Sequence, residues 1–299
     1  MKKLLATALA ALAFGASAAE NITIFYAWGP GDSVANYHRT LANEANKIQD
    51  KYNFVFDTKP GAGGAIAVNH VLNTPNSILA HSTAFFVRPV VFPNESYDLN
   101  RLKEQYVHCT APMAVTSVKY KSWKDVPQDA SVGISGLGVT THLAALELKE
   151  KYKNMNIVPF KSTNDSMLSM VSGQTDFHIG FISEAEQWAK DNKGRQVNVL
   201  GITGTKRVNG YPTLVSEGFP ATFAQMNVGH HLLVPETTDA TKRKEFYEIF
   251  AKAAKTDSVR AAYAVDYCEP ASITEGGLDK FFTTSTQYWR SLASKVKIN

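Results

Sequence analysis

The stretch that decides the fold is Lys59-Pro60-Gly61-Ala62-Gly63-Gly64, which separates a strand-like segment, Tyr52 to Asp57, from an apolar helical segment that begins at Ala65. Proline ends the strand, and clustered glycines allow positive φ angles and close backbone packing. A glycine-rich turn at a helix start can present backbone N–H groups to an anion. The alternative is a scaffold turn, and we interpret this one mainly as a structural turn built on Pro60, Gly61, Gly63 and Gly64.

Outward from this turn, strand-like and helix-like segments alternate, which indicates an α/β protein with open, mostly parallel sheets flanked by helices. One α/β unit begins near residue 20, and a second runs from Ser131 to about Pro220. Tyr106 to Val118 reads as one long strand between them. We therefore expect two lobes with a cleft between them: residues 20–121 plus 226–299 in lobe 1, and 122–225 in lobe 2.

The C-terminal part of the chain reads as helical. Apolar residues recur there at three- and four-residue spacing, a pattern more typical of core packing than of a binding face. This stripe comprises Leu278, Phe281, Trp289, Leu292 and Val296.

Residues 1–19 have the pattern of a secretory signal peptide. Lys2 and Lys3 precede an apolar stretch from Leu4 to Phe14, and small residues favour cleavage near Ala18 or Ala19. The apolar stretch has about half of the roughly 20 residues that a membrane span needs. We therefore expect export to the periplasm.

The charge of the chain is nearly balanced. Without Lys2 and Lys3, 29 basic residues stand against 27 acidic ones, which argues against nucleic acid or an anionic membrane as a partner. His230 and His231 do not suggest a metal site, because adjacent residues of a strand point to opposite faces. We expect no metal, no cofactor and a monomer.

The sequence contains two cysteines, Cys109 and Cys268. Export would place both in an oxidising compartment, where they could form a disulfide. Closing a loop of about 160 residues could stabilise the fold by up to about 5 kcal/mol in the chain-entropy model. The alternative is two buried thiols that never meet.

Loops that leave strands and start helices are the places to look for a ligand site, because ligands bind beyond the carboxyl ends of strands in such sheets. The first such loop is rich in glycine and includes a tryptophan, and it offers Trp28, Gly29, Gly31, Asp32 and Ser33. The second carries amides, hydroxyls and an imidazole, and it offers Ser135, Gly138, Val139, Thr140 and His142. Later candidates are Ser82, Thr83, Ser162, Thr163, Phe181 and Ser183, each of which could instead cap a helix.

The second loop lacks the signatures of two common enzyme motifs. Leu137 stands where a nucleophile elbow has its second glycine. Thr141 stands where a dinucleotide fingerprint has its third glycine. His142 could act as a base, but a lone histidine in the first turn of a helix more often makes hydrogen bonds or caps the helix.

The order and spacing of several segments resemble the solute-binding receptors of tripartite tricarboxylate transporters, the Bug-type receptors, over nearly the whole mature chain. The matching segments are Pro60 to Gly64, Ser135 to Leu143, Phe160 to Thr163, Gly173 to Asp176, Thr203 to Arg207, Tyr211 to Leu214, and Glu217-Gly218. The resemblance implies a two-lobed Venus-flytrap receptor of the periplasmic type. It also implies a small organic acid held between the lobes and delivered to a membrane permease.

Two departures from the family pattern concern the ligand. Asp32 follows Gly31 where the family usually has further glycines and then Thr-Asp, and a carboxylate there would repel an anion by roughly 1 kcal/mol at about 4 Å in water. Either Asp32 faces away as a helix cap, or the ligand is neutral, cationic or zwitterionic. Gly180-Phe181 replaces a frequent Asp-Asn pair, and Phe181 with Trp28 would suit an aromatic acid.

Two other functions compete with a transport receptor. A secreted hydrolase would use Ser135 and His142 with Asp176 as the orienting carboxylate, although their spacing gives this little support. A ligand sensor that docks on a signalling protein would have the same cleft as a transport receptor. The sequence alone does not separate these last two.

Overall fold

The computed structural model describes residues 18–31, 33–94, 97–191 and 196–294. Residues 1–17 of the expected signal peptide, Asp32 and Val296 lie outside the described residues. Within the described ranges, no helix combines the length and the apolar character that crossing a bilayer requires.

Lobe 1 is a sheet covered by helices on both faces. Its strands are β1 (Glu20–Tyr26), β2 (Tyr52–Thr58), β3 (Ser77–Ser82), β4 (Leu102–Ala111), β10 (Val228–Pro235) and β11 (Glu269–Pro270). Its helices are α1 (Ser33–Lys47), α2 (Ala65–Leu72), α3 (Ala84–Val91), α7 (Ala240–Ala253), α8 (Asp257–Ala264) and α9 (Leu278–Ala293). The strand order is β11-β4-β10-β3-β1-β2.

Lobe 2 repeats this plan with a smaller sheet. Its strands are β5 (Met113–Ser117), β6 (Ser131–Ile134), β7 (Asn156–Pro159), β8 (Phe177–Phe181) and β9 (Asn198–Ile202). Its helices are α4 (Thr140–Leu148), α5 (Thr163–Val171) and α6 (Ile182–Asp191). The strand order is β7-β6-β8-β5-β9.

The predicted two-lobed α/β architecture is confirmed, but both sheets are mixed and not mostly parallel as expected. In lobe 1, β1 pairs with β2 and β3 in parallel, whereas β10 runs antiparallel to β3 and β4. In lobe 2, β6 pairs with β7 and β8 in parallel, whereas β5 runs antiparallel to β8 and β9. Strands β10 and β5 each enter their sheet from the other lobe, whereas β11, which runs antiparallel to β4, follows α8 of lobe 1.

The chain passes from the first sheet to the second at Pro112, within the stretch predicted as one strand. Proline has no N–H to donate to a strand ladder, and the next residue, Met113, instead donates its N–H to Thr203 Oγ1 at 2.8 Å. Met113–Ser117 therefore belongs to the second sheet, although the expected division placed it in lobe 1. Helix α3, which contains Pro89, was not expected from the sequence.

The two cysteines form a disulfide, with an S–S distance of 2.09 Å and a Cα–Cα distance of 5.4 Å. The bond joins β4 to the segment that leads from α8 into β11, so it lies within lobe 1. The C-terminal stripe packs as expected at Leu278, Trp289 and Leu292, which are buried. Phe281 is half-buried and stacks on His231, with ring centroids 5.9 Å apart.

Candidate functional site

A cavity of about 1400 Å³ lies between the lobes, where β1, β3, β6 and β8 end and helices begin. Both lobes contribute backbone, hydroxyl and aromatic groups to its walls. Most of the predicted ligand-contact residues line this cavity: Trp28, Gly29, Gly31, Ser33, Ser82, Ser135, Val139, Thr140, Ser162, Thr163 and Phe181.

The glycine turn lines the cavity as well as connecting β2 to α2. Pro60, Gly61 and Gly63 face it. Gly64 does not, and its role is structural: its φ is +90°, and a Cβ there would lie 1.9 Å from Nε2 of His81. Glycine is required at this position because no side chain fits between the turn and β3.

Two glycine-rich loops bring the lobes into contact at one end of the cavity. A Cβ at Gly63 would lie 3.5 Å from Val139 Cγ1 in the opposite lobe. A Cβ at Gly138, where φ is +70°, would lie 2.7 Å from the Phe92 ring of lobe 1. The absence of side chains at these glycines therefore permits the two loops to approach each other.

The start of α4 is suited to an anion. Its N-cap residue is Val139, no side chain caps it, and Thr140 and Thr141 line the cavity. The first N–H groups of a helix lack partners within the helix, and the helix dipole favours negative charge near them. By contrast, Ser162 caps α5, since its Oγ accepts the Asp165 N–H at 3.1 Å.

Some predicted contact residues hold the walls in place from outside the cavity lining. Thr83 Oγ1 accepts the N–H of Gly229 at 2.6 Å and thereby ties α3 to β10. His142 Nδ1 accepts the N–H of Gly138 at 3.1 Å, so both residues support the loop before α4. Burial lowers the pKa of His142. Ser183 donates to Asp266.

Sequence reasoning missed Arg88 and Glu184, which both line the cavity. Arg88 lies in α3 beneath the glycine turn, and a Cβ at Gly63 would lie 3.0 Å from its Nη1. Glu184 Oε2 accepts the N–H of Phe181 at 2.8 Å and a hydrogen bond from His178 Nε2 at 2.9 Å. The first of these bonds is the Glu half of a capping box, but Phe181 lacks the hydroxyl that would mark the motif in the sequence.

His230 and His231 point to opposite faces of β10, as the strand geometry predicts. His230 lines the cavity, with its ring 5.3 Å from Tyr37 and 5.8 Å from Phe181. Desolvation by burial, then the charge of His231, lowers the pKa of His230 to about 3, so its ring is neutral near pH 7. His231 bonds through Nδ1 to the buried Glu104 at 3.1 Å.

The three residues considered for a hydrolase, Ser135, His142 and Asp176, do not form a hydrogen-bonded catalytic triad. Ser135 Oγ is bonded to Thr141 Oγ1 at 2.9 Å, and His142 Nδ1 is occupied by the Gly138 N–H. Asp176 accepts from Ser131 N at 2.8 Å and from Lys119 Nζ at 2.8 Å. A hydrolytic triad needs a serine, a histidine and a carboxylate bonded in series.

Among the described residues, no three or more His, Cys, Asp and Glu side chains are arranged to hold a metal ion.

Residues 38–298 match the model of a family described as the tripartite tricarboxylate transporter family receptor, TctC. No curated protein matches the chain by sequence. Among solved structures, the periplasmic binding protein BugD is 18% identical with a TM-score of 0.79, over 92% of this chain and 96% of BugD.

Two further solved structures come from Rhodopseudomonas palustris. A protein with adipate is 17% identical with a TM-score of 0.80, over 92% of this chain and 96% of that one. MatC with bound malate is 17% identical with a TM-score of 0.79, over 92% of this chain and 99% of MatC. At such identities these similarities concern the fold.

Proposed function

The chain belongs to the tripartite tricarboxylate transporter receptor family, a family of solute-binding receptors and not of enzymes, and on that premise we propose that it captures a small organic acid in the cavity between its lobes. The observation that carries this proposal is the start of α4, uncapped by any side chain at the cavity wall. Backbone N–H groups at a helix start stabilise a carboxylate. The adipate and malate of the two Rhodopseudomonas palustris proteins are dicarboxylates, which supports the same ligand class for this chain.

The cavity walls favour an acid with an apolar or aromatic part. Trp28 and Phe181 line it from opposite lobes, and the neutral ring of His230 lies beside Phe181. Arg88 adds a positive charge to the wall of lobe 1. A volume of about 1400 Å³ exceeds the roughly 300–1,000 Å³ of common ligand pockets, so bridging waters would fill the space that a small acid leaves.

We further propose that the protein is exported to the periplasm, acts as a monomer, and delivers its acid to the membrane permease of a tripartite transporter. The family supplies the transporter assignment. Closure around the ligand fits this role, because a ligand that contacts both lobes binds the closed arrangement better and so shifts the equilibrium toward it.

A thermal-shift screen tests the ligand class. The panel contains malate, adipate, citrate, benzoate, 4-hydroxybenzoate and glutamate, and a bound acid raises the unfolding midpoint because it binds only the native state. We expect at least one acid to raise the midpoint. A panel in which no acid does so would overturn the proposal.

Tryptophan fluorescence locates the binding event. We expect a binding acid to change the fluorescence of the wild type and of Trp188→Phe, since Trp188 lies in α6 outside the cavity lining. Trp28→Phe should lose most of this change. Substitution of Trp28 by alanine should weaken benzoate more than adipate, and equal effects on both acids would argue against an aromatic ligand.

A further inference from the structure

Asp266, Tyr267 and Cys268, which we call the clasp segment, connect the two lobes beside the cavity. The segment is fixed to lobe 1, because Cys268 is bonded to Cys109 of β4 and donates its N–H to the Tyr263 carbonyl at 3.0 Å. The side chains of Asp266 and Tyr267 nevertheless contact α6 of lobe 2.

The carboxyl group of Asp266 is shared between the lobes. The residue is fully buried. Its Oδ2 accepts hydrogen bonds from Ser33 and Tyr37 of α1, whereas its Oδ1 accepts one from Ser183 of α6. Ser33 and Ser183 stand at the starts of their helices, where the helix dipole favours a carboxyl group. One side chain therefore links the N-terminal ends of two helices from different lobes.

Tyr267 makes a second contact across the lobes. Its hydroxyl donates to Glu186 Oε1 at 2.8 Å, and its ring packs against the cluster of Ala114, Ile182 and Ile202 in lobe 2. Its φ is +53°, a conformation that persists for a non-glycine residue only where surrounding contacts hold it. Burial, then the hydrogen bond to Glu186, raises the pKa of Tyr267 to about 12, so the phenol remains a donor near pH 7.

We propose that Asp266 is a positioning residue that holds the two lobes in their ligand-binding arrangement and so sets the equilibrium between this arrangement and a more open one. Ser33 lines the cavity, and Ser183 follows closely on Phe181, which lines it from lobe 2. The consequence for affinity rests on the proposed function, because a receptor binds its ligand more weakly when fewer molecules occupy the binding-competent arrangement.

Two single-hydroxyl substitutions separate this role from a purely structural one. Ser183→Ala and Tyr37→Phe each remove one donor to Asp266, but Ser183 lies in the opposite lobe and Tyr37 in the same lobe. Spin labels on Ile66→Cys and Val215→Cys report the interlobe distance, since these side chains are 50% and 37% exposed in α2 and in the lobe 2 turn Val215–Glu217, and neither lines the cavity. The native cysteines are bonded and do not take the label.

Without any acid present, we expect Ser183→Ala and Asp266→Asn to lengthen or broaden the interlobe distance, whereas Tyr37→Phe keeps the wild-type distribution. If Asp266→Asn does not fold, Ser183→Ala alone carries the test. Unchanged distances in Ser183→Ala, or equal changes in Ser183→Ala and Tyr37→Phe, would overturn the proposal.

The same variants are then titrated with adipate and malate. Loss of one hydrogen bond should weaken binding by Ser183→Ala about two- to tenfold, with little change in Tyr37→Phe. If a panel acid binds the wild type but Ser183→Ala binds it equally well, the link between Asp266 and affinity is wrong. If no acid of the thermal-shift panel binds any variant, the proposed function fails, while the distances measured without acid still decide the role of the clasp segment.

Discussion

Gly64 and His81 are packed so closely that a Cβ atom at residue 64 would lie 1.9 Å from His81 Nε2. The His81 and Trp28 rings in turn make a T-shaped contact, with centroids 5.7 Å apart, and Trp28 lines the cavity. His81 Nδ1 is fixed by a hydrogen bond to the Ser82 carbonyl at 2.8 Å. The glycine turn therefore determines the position of a cavity wall as well as the packing of α2.

Substitution of Gly64 by alanine should destabilise the fold strongly. Alanine at positive φ costs about 1–2 kcal/mol, and overpacking against His81 should add about 1–3 kcal/mol. Gly173→Ala is the matched control, because Gly173 has φ +81° but a Cβ atom there would meet nothing within 4 Å. Urea unfolding measures both, and equal losses of stability would show that the His81 contact does not matter.

Ser82 and Thr83 are adjacent but should respond differently to alanine. Ser82 lines the cavity, whereas the Thr83 hydroxyl is buried against Gly229. We expect Ser82→Ala to weaken acid binding with little loss of stability. Thr83→Ala should lower the free energy of unfolding by about 1–3 kcal/mol, the cost of an unsatisfied buried N–H, and keep the affinity. Calorimetric titration and urea unfolding of both variants check this, and the reverse pattern would place Thr83 in the ligand site.

Local sequence signals predicted the elements that depend on neighbouring residues. The start of α2 was predicted at Ala65, where the observed helix begins, because proline, glycine and apolar periodicity are read within a few residues. The same local chemistry identified the loops after β1 and β6 that line the cavity. The sheet crossing at Pro112 was missed, although a proline inside a strand-like run is itself a signal that the strand is interrupted.

The contacts that join distant parts of the chain could not be predicted. Asp266 lies 233 residues from Ser33 and 83 residues from Ser183. Nothing in the residues around Asp266 indicates that it would be buried between two helix starts. Arg88 was missed because Pro89 hides the helical pattern of α3, so its position beneath the glycine turn emerges only from the folded chain.

Removing the disulfide should lower stability without abolishing the sheet arrangement. Cys109 and Cys268 are 159 residues apart in sequence, and the double variant Cys109→Ala, Cys268→Ala should lose about 2–5 kcal/mol of unfolding free energy. Guanidinium unfolding with and without dithiothreitol measures the effect. The reductant should lower the wild-type midpoint and leave the double variant unchanged, and a wild type insensitive to full reduction would contradict the prediction.

Mild acid should destabilise the protein through its buried histidines. Burial lowers the pKa of His81 to about 4 and that of His230 to about 3, and it lowers those of His38 and His108 well below the usual value. Unfolded histidine titrates near about pH 6.5. The unfolded chain therefore binds protons that the native chain does not. The contribution of these histidines to the free energy of unfolding is complete above about pH 6.5 and is lost as the pH falls toward the native pKa values.

Each such histidine should lower the free energy of unfolding by about 1.4 kcal/mol per pH unit below about pH 6.5. Carboxyl groups with ordinary pKa values titrate below the window from about pH 6.5 to about pH 5, but burial raises the pKa of Glu104, so the contribution of one histidine is read from the difference between a His230 variant and the wild type. His230→Phe should keep an aromatic ring beside Tyr37 and Phe181 while removing one titrating group. Guanidinium unfolding across this window should therefore give a shallower pH dependence for His230→Phe than for the wild type, whereas identical slopes would mean that His230 is protonated in the native state.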